Sequence, residues 1–232
     1  MKKLLAVLAA AGLMAAATAA FGAGITTSKH NLSATGPSGY SGTTTQICIF
    51  CHAPHNAKES LPLWNRSNPT GAFKLYSGVG MANVSFKTGF TTDSTSLFCM
   101  SCHDGVTKMN AVYNAGAIEG QALNHYVERV AGTFGNVAIT GSGNLTTDLS
   151  KTHPINFPVG TTDPQSDLHS GGGTTMGSAG FTMPLFKATR SGASTNRSLE
   201  CGSCHAVHDS AISPFLRYTM AGSALCLGCH NK

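Results

Sequence analysis

Charge is what this sequence has least of. Lys, Arg, Asp and Glu make up 11% of its 232 residues, aromatic residues 7%, and Trp64 is the single tryptophan. Lysines and arginines nowhere cluster as a phosphate-tracking surface requires, so nucleic acid is excluded as a partner. After residue 23 no apolar run is long enough to span a bilayer, so the processed chain has no membrane span. No cysteine lies near the N-terminal apolar run, which excludes a lipoprotein anchor. The 41% hydrophobic share is inflated by alanines of that run, and the rest is rich in serine and threonine and carries 27 glycines. Such a chain offsets its ordering entropy poorly by burying side chains alone. Something other than side chains is expected to supply the core.

The first residues, "MKKLLAVLAAAGLMAAATAAFGAG", set Lys2 and Lys3 before an apolar stretch and small residues. That order predicts a secretory signal peptide over 1–23 and an exported chain over 24–232. The formal charge is +5; without Lys2 and Lys3 it rests on 13 basic against 10 acidic residues.

What the sequence does have is eight cysteines in four like settings: Cys48/Cys51, Cys99/Cys102, Cys201/Cys204 and Cys226/Cys229. Each pair is Cys-x-x-Cys, and a histidine follows at once: His52, His103, His205 and His230. Disulfides, a zinc shared by two pairs, or a thioredoxin-like redox site would each accept paired cysteines. None of them asks for histidine in the fifth position. With 10 histidines in 232 residues, four out of four by chance is roughly a few in a million. The pattern instead suits covalent haem c, where two thiols add across the two vinyl groups of one porphyrin edge and the adjacent histidine reaches the iron. Four haems in one chain of this size also answer the missing core.

Six histidines remain, and four bis-histidine, low-spin sites need four of them. His55 and His208 each stand three residues beyond a proximal histidine, in "CIFCHAPHN" and "CGSCHAVHD". So short a tether keeps both imidazoles on one side of a ring, so His55 and His208 are expected to serve neighbouring haems. His153 precedes Pro154, which biases it to extended backbone and suits a distal ligand. His30 is the fourth expected distal ligand; His125 and His169 compete behind these. Methionines 81, 109, 176, 183 and 220 are alternative axial ligands that would raise a site's potential.

The motifs repeat in pairs. The first of each pair carries the extra histidine, and the second reads "SLFCMSCHDG" or "SALCLGCHNK". This predicts one domain of two two-haem units, about 30–110 and 195–232, joined by a haem-free insert. Helical turns are expected at 48–55, 99–104, 201–208 and 224–230. "YVERVAGTF" and "NVAITGSG" are the candidates for a hairpin, and "GPSGYSGTTTQ" and "HSGGGTTMGSAG" read as loops. The fold class expected is therefore mostly irregular coil with a few short helices at the motifs, at most a small β-hairpin, and haems as the core.

The stretches "KHNLSATGPSGYSGTTTQICIFCHAPHNA", "LWNRSNP", "SLFCMSCHDGV", "THPINF" and "SALCLGCHNK" resemble the doubled Cys-x-x-Cys-His multihaem cytochromes of metal-reducing bacteria, in particular their filament-forming outer-surface tetrahaem members. The resemblance implies His30 as a ligand, electron transfer to extracellular acceptors or other redox proteins, and a homopolymer in which a histidine of one subunit completes a haem of the next. It sets the chain at the outer surface in preference to the periplasm. A monomeric periplasmic shuttle is the first alternative. A multihaem reductase is the second, although six further histidines leave no obvious open coordination position, so catalysis is not expected.

Overall fold

The structure, a computed structural model, describes residues 23–42, 44–58, 62–76, 89–113, 127–129, 137–159, 168–169, 171–172, 174–178, 180–190 and 193–231. His125, and all of the expected signal peptide but its last residue, lie outside them. Most of the described backbone is irregular. The helices are α1 (Ala23–Thr26), α2 (Ser96–His103), α3 (Cys201–Cys204) and α4 (Ala224–Cys229), with 3-10 turns at Cys48–Phe50, Gly141–Gly143 and Ala221–Ser223. Every Cys-x-x-Cys pair thus begins on a helical turn, which puts residues i and i+3 on one face. α2 is the longest because Leu97 and Met100, three apart, both bury. Among the described residues no helix is long and apolar enough to cross a membrane.

Strand is more plentiful than the expected single hairpin. Short strands run β1 (Tyr40–Gly42), β2 (Lys74–Leu75), β3 (Val127–Arg129), β4 (Asp148–Leu149), β5 (Phe157–Pro158), β6 (Gly171–Gly172), β7 (Thr175–Met176), β8 (Met183–Pro184), β9 (Phe186–Arg190) and β10 (Ala193–Leu199). They form four small sheets: β1-β3, β2-β4, β5-β10-β9 and β6-β7-β8. Of the expected hairpin between "YVERVAGTF" and "NVAITGSG", residues 126 and 130–136 lie outside the described residues, and the described remainder does not pair with itself. β3 instead pairs antiparallel with β1, Ser41 opposite Glu128, and Ala138 bridges Lys108. Both expected loops hold strand, β1 in the first and the β6–β7 pair in the second. Their composition is that of turns; long-range partners supply the pairing that local propensity does not.

Among the described residues the apolar side chains gather in three clusters. One cluster gathers Leu32, Tyr40, Phe50 and Met109, with the Cys51 and Cys102 side chains against it. A second holds Phe73, Leu75, Leu97, Met100 and Leu149, tied by the parallel β2–β4 pair. The third gathers Phe157, Val159, Met176, Phe181, Met183, Leu185 and Leu199, with Cys204 and Cys229 packed on it.

Candidate functional site

Each motif is held by a segment that returns to it from elsewhere in the chain. At the first, Ala53 N–H donates to Leu63 O (2.9 Å) and Asn65 N–H to Cys51 O (2.8 Å), and His52 bridges Trp64. At the third, Ala206 N–H donates to Phe215 O (2.7 Å) and Arg217 N–H to Cys204 O (2.9 Å), and His205 bridges Leu216. The two returns share a backbone signature. Leu63 has φ 62° and Phe215 φ 63°, a left-handed conformation uncommon for such residues, and a proline precedes each.

The insert returns to the other two motifs. Leu145 N–H donates to His103 O (2.9 Å), and His169 N–H to Cys229 O (2.8 Å), where Leu168 bridges His230.

These returns orient the proximal imidazoles. Nδ1 of His52 lies 2.8 Å from Pro62 O, Nδ1 of His205 2.9 Å from Pro214 O, and Nδ1 of His103 2.6 Å from Gly143 O. A carbonyl only accepts, so each Nδ1 carries the proton and Nε2 keeps its lone pair for a metal. Pro62, Gly143 and Pro214 were not singled out from sequence; the shared "LPLWN" and "SPFLR" context, with proline at the same place, is the one available signal.

Three proximal histidines face a second imidazole. His30 stands opposite His103 with ring centres 6.0 Å apart, His208 opposite His52 at 6.0 Å, and His153 opposite His230 at 6.2 Å. The rings of these pairs cross at 70°, 46° and 68°. His30 also stacks on Phe215 at 4.5 Å. Burial, then the nearby His103, pulls His30 from 6.5 down to about 4, so it is a neutral imidazole at neutral pH. Burial likewise lowers His208. Among the described residues no ring stands so opposite His205. His55 is exposed, and His169 lies against the fourth motif, where the facing ring is His153. Of the candidate methionines, Met109, Met176 and Met183 are packed in apolar clusters and Met220 is exposed.

The thiols also meet in order along the chain. Cys51 and Cys102 border one apolar cluster, the Cys99 and Cys201 thiols are within hydrogen-bond reach of each other, and Cys204 and Cys229 border another cluster. Burial pushes Cys51 up to about 12 and Cys204 up to about 11. The bond to Cys201, together with burial, holds Cys99 well above the usual thiol range.

Haem c asks for paired free thiols and a neutral imidazole beside them, and the residues present fit it. All eight cysteines are free of disulfides, and among the described residues no three His, Cys, Asp or Glu side chains converge as a tetrahedral metal site needs. The Trp64 indole, edge-on to His52 at 5.7 Å, has a buried N–H with no acceptor among the described residues. That is a donor suited to an acidic group bound beside it.

Thiol pairs on helical turns, with oriented imidazoles next to them, are what covalent attachment of haem c requires. Residues 194–232 match the family model described as "Doubled CXXCH motif", which spans the third and fourth motifs. That match indicates covalently bound haem c and the electron-transfer role of a multihaem c-type cytochrome. No curated protein matches the chain.

Proposed function

We propose that the chain is a tetrahaem electron conductor, organised as two two-haem units, and that it is exported and assembles into an extracellular filament. Haem c held at each motif supplies an iron couple that takes up and releases one electron, so four sites in a row pass charge along the chain.

The observation that carries this reading is the set of three facing imidazoles. A metal–nitrogen bond of about 2.0 Å and a ring centre about 1.1 Å behind the nitrogen put two axial imidazoles about 6.2 Å apart, centre to centre. The three pairs stand at 6.0 to 6.2 Å. On this reading His103 and His30 hold one iron, His52 and His208 a second, and His230 and His153 a third. His208 then does what its short tether to His205 demands and serves a neighbouring site. With both axial positions filled by protein, no open position is left for a substrate at those sites, which favours conduction over a reductase.

His205 needs its second imidazole from elsewhere. The exposed His55 is assigned to it across a contact between two copies, which would continue the row of sites from subunit to subunit. His125 and His169 are the intramolecular competitors. The placing of Cys51 with Cys102 on one cluster, of Cys99 beside Cys201, and of Cys204 with Cys229 on another cluster supports a linear order of sites that follows the sequence.

The test is a haem count by reduced pyridine haemochrome on protein from the exported fraction, with EPR and negative-stain imaging of the same material. Four haems per chain, low-spin signals and filaments are expected. A zero count would sink the reading at its root; four haems in a uniformly monomeric protein would leave the periplasmic shuttle.

A further inference from the structure

Two fully buried charges lie outside the set of ligands, one at each of two successive junctions between motifs. Arg66 is 1% exposed and Glu200 0%. Lys74–Asp148, on the surface, is the one ion pair among the described residues, so neither buried charge is paired there with an opposite one.

Arg66 sits between the first and second motifs. The preceding residue, Asn65, bonds Cys51 O through its N–H and Ile49 O through its side chain at 2.6 Å. The guanidinium reaches across to the second motif: Nε and Nη2 donate to Ser101 O at 3.3 and 3.0 Å, Nη2 to Lys108 O at 2.8 Å and Nη1 to Met109 O at 2.9 Å. Four of its five N–H donors are thus spent on neutral carbonyls; Asp104, the buried carboxylate of the second motif, accepts from Val106 N–H, Thr107 N–H and Thr107 Oγ1 and makes no ion pair with it.

Glu200 sits between the second and third motifs. It adjoins Cys201 in sequence and forms a capping box with Ser203 at the start of α3. Its carboxylate also accepts from Ser94 Oγ (2.6 Å), Ser96 N–H (3.3 Å) and Ser96 Oγ, which caps α2 as well, and from Ser198 Oγ (2.6 Å). Every one of these contacts is a donor, as an ionised carboxylate requires. One anion therefore caps the helices of two motifs whose thiols, Cys99 and Cys201, are in contact.

We propose that Arg66 and Glu200 give the electron path an uneven profile, Arg66 favouring the electron at the first and second sites and Glu200 disfavouring it at the second and third. The inference rests on the haem reading above and adds to it the residues that set its potentials. Each transfer oxidises one site by one electron and reduces its neighbour by one, while the two charges stay fixed. A buried cation stabilises the added electron and a buried anion opposes it, because the low-dielectric interior screens both weakly. The first site is thereby raised, the third lowered, and the second feels both.

The test is a redox titration of the haem-loaded protein in which haem-methyl NMR signals follow each site separately, after a pyridine haemochrome count of each sample. Arg66→Met is expected to change the oxidised-to-reduced ratio of the first and second sites at least tenfold towards oxidised, about 59 mV for a one-electron couple. Glu200→Gln, which keeps the shape, is expected to shift the second and third sites at least tenfold the other way. Arg66→Lys keeps the charge and should restore the wild-type profile, which a purely structural role for Arg66 would not predict. Fully loaded variants with unchanged site potentials would overturn the inference alone, as would Arg66→Lys behaving like Arg66→Met. Wild-type protein without haem at these motifs would overturn the haem reading and this inference together. If Arg66→Met fails to load, Glu200→Gln decides: the upward shift at its two sites supports the proposal and no shift overturns it.

Discussion

His208→Ala separates an axial ligand from a surface histidine more sharply than any other single change. His208 belongs by sequence to the third motif, yet its ring faces His52 of the first at 6.0 Å. An iron between them needs about 6.2 Å, a movement of a few tenths of an ångström, well within what a side chain absorbs. The loop that presents His208 is fixed from three directions. Ala206 N–H bonds Phe215 O at 2.7 Å, Asp209 N–H bonds Ala206 O at 2.7 Å, and Gly24 of α1 packs so close that a Cβ there would lie 2.5 Å from His208 O. The loop therefore keeps its shape without the imidazole, and among the described residues no other imidazole pairs with His52.

The expected result is one opened site per chain. On the four-site reading, about a quarter of the low-spin EPR intensity should convert to high spin, and the ferrous protein should bind one carbon monoxide per chain, with the haem count unchanged. The opened site is the first, on Cys48 and Cys51, so the triple variant His208→Ala, Cys48→Ser, Cys51→Ser should lose that carbon monoxide binding together with one haem. Full low-spin intensity in His208→Ala would refute the pairing. Opening of the third site instead would refute the tether argument.

His30→Ala should open the second site in the same way. His55→Ala should abolish filaments in negative-stain images while leaving the other three sites low-spin. Gly228→Ala places a Cβ 2.3 Å from the Phe181 ring, which is itself held 4.0 Å from Tyr218. Overpacking of about 1–3 kcal/mol should outweigh the roughly 1 kcal/mol that alanine gains over glycine in a helix. Gly71→Ala, with nothing within 4 Å of the added carbon, serves as the neutral control.

The helical turns at the motifs were legible in the sequence because the chemistry demands two thiols on one face, and that demand is local. The mostly irregular backbone was legible for a similar reason: glycine, serine and threonine dominate wherever the motifs do not. What could not be read is what reaches each motif from a distance. Leu63 and Phe215 turn the chain back through left-handed backbone, a conformation that leaves no residue-type signal when apolar side chains adopt it. The insert had no visible task, yet Gly143 O accepts the hydrogen bond of His103 Nδ1–H and Leu168 bridges His230. Glu200 looked like any glutamate. Its burial and its hold on Ser94 and Ser96, more than a hundred residues earlier, follow only from the packed arrangement.

The sparse composition and the long-range returns have one physical cause. A chain with three small clusters instead of a core has few apolar contacts to fix its elements, so polar and backbone contacts to the motifs must do the positioning. The clusters bear this out in where they lie: two of the three are bordered by thiols of successive motifs, Cys51 with Cys102 and Cys204 with Cys229. The remaining junction, Cys99 with Cys201, is held instead by the Glu200 carboxylate, which caps both helices at once. The first junction adds the buried Arg66 to its apolar packing, whereas the middle junction is clamped by Glu200. On the proposed haem reading Glu200 both joins the second and third sites and offsets their potentials, and Glu200→Gln keeps the shape while removing the charge.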